Sequence, residues 1–248
     1  MTGDRRFGGV ERLFGLNGAR RICGAHVAVV GIGGVGSWVA ESLARSGVGA
    51  LTLIDFDQVA ESNINRQIHA TEGSLGMAKV LAMRARIHSF YPQCQVNCIE
   101  EFADPSNWPG VLPAGVNAVV DACDQTIAKT VIAAWAVNSG CVHVTVGAAG
   151  GKRHAQLVKV ADLVEVTHDP LLAKVRYQLR KEHVAQRAGK PMGITCVYSP
   201  ETVAAPDASC GIAGDGTLNC HGFGSLVTVT ATFGQCAAGF ILNKLVAG

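Results

Sequence analysis

The chain has 248 residues, enough for one domain whose core requires neither disulfides nor a metal ion. Apolar residues make up 48% of it and charged residues 16%, a balance that excludes an intrinsically disordered chain. The formal net charge of +2 gives no overall signal for nucleic-acid binding, so any such binding must come from a local patch.

The cysteine pattern indicates a reducing compartment. Nine cysteines are present, and no two are spaced as Cys-x-x-Cys. An odd count without such pairs predicts neither a disulfide framework nor a tetrahedral zinc site. No apolar stretch of the signal-sequence type follows Arg5 and Arg6 near the start of the chain. We therefore expect a cytoplasmic protein.

An alternation of buried strands and helices is predicted from residue 26 onward. Continuous apolar runs at 26–31 and 50–55 indicate buried parallel strands. Between them, apolar residues recur at helical spacing over 34–46, and Gly47 is placed to end that helix in a left-handed cap. The alternation continues with helices at 77–90 and 126–138 and strands at 95–100, 116–121 and 141–146. The predicted fold class is α/β: a Rossmann-like, doubly wound, mainly parallel sheet that binds its ligand at the carboxyl ends of the strands.

One domain is expected over residues 1–248, with nucleotide binding in 1–150 and substrate binding and dimerisation in 151–248. The second part is predicted to extend the sheet with loops, extra strands and helices. Its pattern favours a strand at 155–160, a basic helix at 169–187 and loops over 189–220.

The stretch 222–243 carries no charged residue and is long enough to suggest a membrane span. Its serine, threonine, glutamine and glycine residues make it polar and small for a lipid-facing helix. We therefore predict a buried helix, with peripheral membrane association through this helix as the alternative.

A glycine-rich turn follows the first predicted strand. It places Gly31, Gly33, Gly34 and Gly36 before a helix, and Asp55 follows at the end of the next strand. Gly31 permits the tight turn, Gly33 lets the backbone approach a phosphate, and Gly36 allows the helix to pack closely. The free N–H groups of the helix N-terminus favour an anion. The pattern predicts an adenine-nucleotide site with Asp55 on the ribose, and by itself it is typical of NAD-dependent oxidoreductases.

Polar residues further along the chain shift the predicted ligand from NAD to ATP. Asp57 follows the same strand end, and Asn63, Arg66, Gln67 and Lys79 come within reach of it. Amide and cationic donors in this number suit a triphosphate better than a pyrophosphate bridge. The alternative interpretation is that Arg66 and Lys79 are solvated charges on the protein surface.

An acidic pair follows a later strand of the predicted sheet. Asp121 and Asp124 offer the hard oxygen ligands that Mg²⁺ prefers. Asp124 has a structural alternative, because an aspartate just before the helix predicted at 126–138 suits an N-cap.

These motifs resemble, in order and spacing, the ubiquitin-activating-enzyme-like superfamily that includes ThiF and MoeB. The matching motifs lie at 31–37, 53–57, 62–67, 76–79 and 121–124. The resemblance implies a homodimer that uses ATP to activate a carboxylate as an acyl phosphate or acyl adenylate. It places Asp55 on the ribose, and Asp124 at the metal. The residues that it places at the phosphates are Asn63, Arg66, Gln67 and Lys79. Arg66, Lys79 and Asp124 are then the candidate catalytic residues.

The later part of the chain distinguishes between branches of that superfamily. ThiF and MoeB usually carry two zinc-binding Cys-x-x-Cys pairs, which this chain lacks. This chain is instead similar to the bacterial tRNA threonylcarbamoyladenosine dehydratases in a series of short motifs. They lie at 65–70, 147–151, 160–163, 168–176, 197–201 and 222–234.

The second resemblance implies a tRNA substrate. It also implies that ATP and Mg²⁺ are used to activate the threonyl carboxylate of the modified adenosine next to the anticodon. The neighbouring carbamoyl group then closes an oxazolone ring with loss of water. The alternative is adenylation of the C-terminus of a ubiquitin-like sulfur-carrier protein, and a cysteine-desulfurase or sulfur-acceptor partner stays open.

Two basic clusters are candidates for contact with tRNA. Their residues are Lys152 and Arg153 in the first, and Lys174, Arg176, Arg180, Lys181 and Arg187 in the second. The alternative is a solvated helix face. Near the N-terminus, relatives carry an arginine that reaches the phosphates bound by the partner subunit, and this chain has Gly9 at that place. Arg6 or Arg12 is the candidate for that role.

Overall fold

The computed structural model of this chain describes residues 4–182, 190–207, 209 and 223–247. The strands in these ranges are β1 (His26–Val30), β2 (Ala50–Ile54), β3 (Gln95–Ile99), β4 (Ala118–Asp121), β5 (Val142–Val146), β6 (Lys159–Asp162) and β7 (Thr195–Tyr198). The α-helices are α1 (Gly8–Gly24), α2 (Gly36–Arg45), α3 (Lys79–Phe90), α4 (Thr126–Ser139), α5 (Pro170–Glu182) and α6 (Val227–Ala247). Short 3₁₀ turns connect several of them.

The strands form one sheet in the order β3-β2-β1-β4-β5-β7-β6. All neighbouring pairs are parallel except β6 with β7 at one edge. The predicted α/β class and mainly parallel sheet are therefore confirmed. Because β2 and β3 lie on one side of β1 and β4 lies on the other, the strand order reverses between β1 and β4. A doubly wound sheet leaves a ligand-binding crevice at the carboxyl ends of such strands.

Helix α6 is the buried helix predicted from its uncharged sequence. It packs closely on α2, where a Cβ atom on Gly234 would lie 2.7 Å from the Cβ of Trp38. Phe233 and Ile241 are fully buried in the central hydrophobic cluster. Within the described ranges, no helix combines the length and apolar character that crossing a bilayer requires.

Three local predictions differ from the structure. Residues 155–157 form a 3₁₀ turn, and the predicted strand starts later, at Lys159, where pairing with Tyr198 begins. Strand β7 lies in the segment predicted as loops, since its four residues are too short for a periodic signal. Helix α1 was not predicted, because its composition is mixed and Gly15 interrupts it at a φ of 71°. Residues 183–187 of the predicted basic helix lie outside the described residues.

Candidate nucleotide-binding site

A cavity of about 520 Å³ lies at the carboxyl ends of the central strands. It is open to solvent beside the glycine-rich turn, where the strand order reverses. Of the residues predicted to bind the nucleotide, all except Gly36 line it. The predicted residues in its wall are Gly31, Gly33, Gly34, Asp55, Asp57, Asn63, Arg66, Gln67, Lys79 and Asp124.

The glycines of the turn have different steric surroundings. Gly31 adopts a φ of 84°, and a Cβ atom there would lie 2.8 Å from the backbone of Ala122. A Cβ atom on Gly36 would lie 1.7 Å from the carbonyl oxygen of Gly31, so the close approach of helix to turn needs glycine. At Gly33 the position of a Cβ atom has no protein neighbour within 4 Å. Gly33 therefore presents bare backbone to the cavity, while the N–H groups of Ser37 and Trp38 in the first turn of α2 donate to Gly33 O at 3.1 Å and to Val35 O at 3.0 Å.

Asp55 holds the glycine turn against the end of β2. Its carboxylate accepts hydrogen bonds from Ile32 N at 2.6 Å and from Asp57 N at 2.8 Å. Burial raises the pKa of Asp55, and the nearby Lys79 charge offsets part of that rise. Beyond the predicted ribose contact, the carboxylate thus fixes the backbone of the glycine-rich turn.

ATP affinity is expected to fall on acidification at a pH above the ordinary carboxyl range. The reason is that the pKa of Asp55 is raised, so this group takes up a proton earlier than a solvated aspartate and loses an acceptor for the ribose hydroxyls. Calorimetric titration with ATP over the acidic range measures this, with Asp55→Asn as the comparison because ATP's own titration is the same for both proteins. An identical pH dependence in the two proteins contradicts the assignment.

Lys79 lies at the start of α3 and is 7% exposed. Its Nζ forms an ion pair with Asp57 Oδ2 at 2.7 Å, and its backbone N–H donates to Asp57 O at 2.9 Å. An isolated antiparallel bridge between Gln58 and Ala78 brings the two segments together. The Asp57 carboxylate therefore keeps the ammonium group at the cavity wall.

Arg66 is buried with a donor left unused. Trp38 Nε1 donates to its carbonyl oxygen at 3.0 Å, and its Nη1 donates to Ser62 O at 2.7 Å and Asn65 Oδ1 at 2.9 Å. Neither Arg66 Nε nor Gln67 Oε1, both buried, has a hydrogen-bond partner among the described residues. Since buried polar groups are normally paired, these atoms fit a polar ligand in the cavity.

The two predicted acidic metal ligands have different environments. Asp121 is fully buried, and both of its carboxylate oxygens accept hydrogen bonds from protein groups. Its prediction as a Mg²⁺ ligand is therefore wrong. Asp124 is exposed and lines the cavity. The N-cap of α4 is Gln125, without a side-chain cap, so the capping alternative for Asp124 is not supported.

The donor set around Asp124 suits a metal ion held mainly by a nucleotide. In the part of the chain that the structure describes, no group of three or more His, Cys, Asp or Glu residues is placed to hold a metal ion. Mg²⁺ commonly keeps several waters and binds one or two carboxylates together with substrate phosphates. A single carboxylate beside the predicted phosphate site fits that chemistry.

The opposite wall of the cavity was not predicted. It is formed by the backbone of Gly147–Gly150, by Leu171 at the start of α5, and by Ser225 and Thr230 near the start of α6. These segments are far apart in the sequence, and only the glycine-rich turn after β5 carried a local signal. The cavity therefore joins the two halves of the chain.

The sequence model of the ThiF family matches residues 9–246. The chain belongs to the ThiF family. The tRNA threonylcarbamoyladenosine dehydratase of Haemophilus influenzae is 40% identical over 244 residues, which cover 98% of this chain and 94% of that protein. The protein of the same name from Bacillus subtilis is 33% identical over 192 residues, 77% of this chain and 73% of that protein.

A solved structure supports the same grouping. The crystal structure of Escherichia coli tRNA N6-threonylcarbamoyladenosine dehydratase, TcdA, in complex with ATP is 39% identical in sequence. It aligns with a TM-score of 0.89 over 98% of this chain and 94% of that one. Within the ThiF family the chain thus belongs with the tRNA threonylcarbamoyladenosine dehydratases.

The residues predicted to contact tRNA are not equally available in this ThiF-family protein. Lys152 is 2% exposed, and its Nζ donates to the carbonyl oxygens of His168, Ser199 and Glu201. Its prediction as part of a cationic surface is therefore wrong, because its ammonium group holds three loops together. Arg153 next to it is exposed.

On α5, three of the predicted residues share the solvent side. Lys174, Arg180 and Lys181 are exposed, whereas Arg176 donates from Nη1 to Leu163 O at 2.9 Å and to Val166 O at 2.8 Å. Arg176 thus stabilises the turn before the helix. Arg187 lies outside the described residues.

Proposed function

We propose that this ThiF-family protein uses ATP to dehydrate threonylcarbamoyladenosine in tRNA, next to the anticodon. The observation that carries the proposal is the buried cationic wall of the cavity, where Lys79 lines the same space as the glycine turn and Arg66 Nε has no partner among the described residues. Such a wall suits the phosphates of ATP. The substrate class is supported by relatives named tRNA threonylcarbamoyladenosine dehydratases, which match nearly the whole chain.

The residues of the cavity suit activation of a carboxylate. A carboxylate is a poor electrophile. When one of its oxygens attacks a phosphorus of ATP, an O–P bond forms, a phosphoanhydride bond breaks with release of ADP or pyrophosphate, and that oxygen becomes part of a leaving group. Arg66 and Lys79 stabilise the charge that develops on the phosphates. Asp124 is the residue that would hold Mg²⁺, which when bound supplies positive charge to the phosphate oxygens.

Ring closure then requires little from the protein. The carbamoyl oxygen of the same nucleoside attacks the activated carbonyl carbon, the phosphate-bound oxygen leaves, and the carbamoyl nitrogen loses its proton. Since both reacting groups belong to one nucleoside, proximity supplies a large part of the rate. The net change is the loss of one water.

A form of the sulfur-carrier alternative in which the adenylate goes on to a thioester has less support from the cavity. A carrier-activating enzyme that forms a thioester needs a reactive cysteine thiolate. Cys123 lines the cavity, but burial, followed by the Asp121 charge, raises its pKa well above the ordinary value. Its Sγ donates to Asp121 Oδ1 at 3.0 Å. This thiol is held in its unreactive form.

Nucleoside mass spectrometry tests the proposal. The protein is incubated with ATP, Mg²⁺ and tRNA bearing threonylcarbamoyladenosine, and the digested nucleosides are compared with a reaction lacking ATP. The expected product has lost one water. An unchanged nucleoside, together with demonstrated ATP binding and intact tRNA, contradicts the proposal, and adenylation of an added sulfur-carrier protein favours the alternative.

We also infer that the exposed basic face of α5 contacts tRNA phosphates. The double substitution Lys174→Glu/Lys181→Glu is expected to raise the KM for tRNA and leave the KM for ATP unchanged. Each lost phosphate contact should also lower the slope of log affinity against log salt by about one. Filter binding at several salt concentrations measures this slope. Lys244→Glu, an exposed lysine on α6, is the matched control, and equal effects of both changes contradict the assignment.

Other expectations remain predictions. Homodimer formation is supported by the exposed apolar side chains of Leu13 and Leu16 on α1, which are 75% and 52% exposed. Arg12, on the same helix, is exposed, whereas Arg6 is bound to Asp4, Phe90 O and Gln93. Arg12 is therefore the better candidate for a contact across the dimer. A cytoplasmic location and a sulfur-acceptor partner also stay predictions.

A further inference from the structure

A lysine is buried directly beneath the cavity. Lys129 on α4 has no exposed surface. Its Nζ donates to Asp121 Oδ1 and to Asp121 O, both at 3.1 Å, and to Thr145 Oγ1 at 3.2 Å. An ammonium group has three donors, so all of them are used. Burial lowers the pKa of Lys129, but the Asp121 carboxylate together with Cys123 and Asp169 gives a net rise, so the ammonium form is kept.

The partner of this lysine is equally committed. Asp121 Oδ2 accepts a hydrogen bond from Thr145 Oγ1 at 2.6 Å, and Asp121 Oδ1 also accepts from Cys123 N at 3.3 Å. The buried group thus joins the ends of β4 and β5 to the loop that follows β4. None of these atoms is free for a ligand.

The loop that carries Asp124 is held at its first end by the Lys129 side chain and at its other end by the first turn of α4. The Lys129 side chain binds Asp121 at the first end, and the Lys129 backbone N–H donates to Gln125 O at 3.0 Å at the other. The Asp124 carboxylate itself makes no hydrogen bond or ion pair with any described residue. Its position therefore depends on the backbone of this short loop.

Stability does not explain the ion pair. Replacing a buried ion pair by apolar groups of similar volume is often neutral or stabilising, whereas such pairs can define one conformation. We propose that Lys129 is a positioning residue that, through Asp121 and Thr145, holds the 121–125 loop so that Asp124 can bind Mg²⁺ together with ATP. The inference rests on the proposed function, since it assumes an ATP site.

The test measures ATP affinity by calorimetry, in MgCl₂ and in EDTA, without tRNA. Mg²⁺ should strengthen ATP binding to the parent protein on the order of 10-fold, the usual size of coupling between two sites. The double substitution Lys129→Met/Asp121→Asn removes both charges, so no unpaired buried charge remains. It is expected to abolish the strengthening by Mg²⁺ and to leave the affinity in EDTA unchanged.

Two further variants separate positioning from general damage. Thr145→Val keeps the ion pair and removes the hydroxyl that bridges it, so part of the Mg²⁺ effect should be lost. Thr130→Val is the matched control, because among the described residues this buried hydroxyl on the same helix bonds Thr126 O and Gln178 Oε1, both at 2.8 Å, and no atom of the Lys129 group. It should lower the unfolding temperature without changing the Mg²⁺ effect.

A double-mutant cycle with Asp124→Asn completes the test. If Lys129 acts through Asp124, the Lys129→Met/Asp121→Asn change has no further influence on the Mg²⁺ effect once Asp124 is replaced. Additive effects overturn the inference. The inference is also overturned if Mg²⁺ strengthens ATP binding equally in the parent protein and in Lys129→Met/Asp121→Asn, or if Mg²⁺ has no effect on ATP binding in the parent. Failure of the parent protein to bind ATP at all contradicts the proposed function instead.

Discussion

Replacing Lys79 by alanine is expected to reduce ATP-dependent conversion of the tRNA nucleoside about 10²–10³-fold, the usual effect of removing one preorganised group that stabilises transition-state charge. The ammonium group is buried at the cavity wall and paired with Asp57 at 2.7 Å. Its loss also leaves the Asp57 carboxylate unpaired near the phosphates. Single-turnover rates with saturating ATP and tRNA measure the effect.

The control for this change is another lysine. Lys244→Ala removes an exposed ammonium on α6 and should leave the rate within error of the parent protein. A second readout comes from Asp55, because Lys79 lowers the pKa of that carboxyl. Without Lys79, ATP affinity should begin to fall at a higher pH than in the parent. A rate within a few-fold of the parent and an unchanged pH dependence contradict the assigned role.

The second large effect is expected at Gly36. A Cβ atom there would lie 1.7 Å from Gly31 O, and the Gly31 backbone is held in place because Gly31 N donates to Ile54 O at 2.8 Å. Overpacking in a core costs about 1–3 kcal/mol and more where backbone atoms collide. Gly36→Ala should therefore destabilise the whole domain. Thermal unfolding followed by circular dichroism measures this.

Gly33→Ala is the matched comparison within the same turn. Because a Cβ atom at Gly33 meets no protein atom within 4 Å, the unfolding temperature should stay close to that of the parent. ATP affinity should nevertheless fall at least on the order of 10-fold, or about 1.4 kcal/mol, because the methyl group occupies the phosphate's approach to the backbone. Equal stability losses in the two variants, or full ATP affinity in Gly33→Ala, contradict this division of roles.

The central strands were predictable because burial on both faces leaves a simple pattern. β1, β2, β4 and β5 lie within one or two residues of their predicted ends, and Gly47 ends the first crossover helix at a φ of 85°. Strand β7 carries no comparable signal. Its four residues are fixed by pairing with β5 and β6, which no local pattern reveals.

The two sides of the cavity also differ in how far the sequence alone could predict them. The glycine turn, Asp55, Arg66 and Lys79 belong to closely spaced motifs, so sequence spacing was enough to bring them together. Ser225 and Thr230 reach the cavity only because α6 packs against α2. Charge alone also misassigned Lys152 and Asp121, since exposure and pairing depend on elements distant in the chain.

The sequence by itself determined the α/β class, the nucleotide motif and the resemblance to the ThiF superfamily, because these depend on local patterns of burial, turn and spacing. Only the tertiary structure decided which charges face the cavity. It buried Asp121 against Lys129, left Asp124 free, and turned Lys152 into a link between three loops. The physical reason is that burial, and therefore the availability of a charge to a ligand, is set by contacts between segments far apart in the chain.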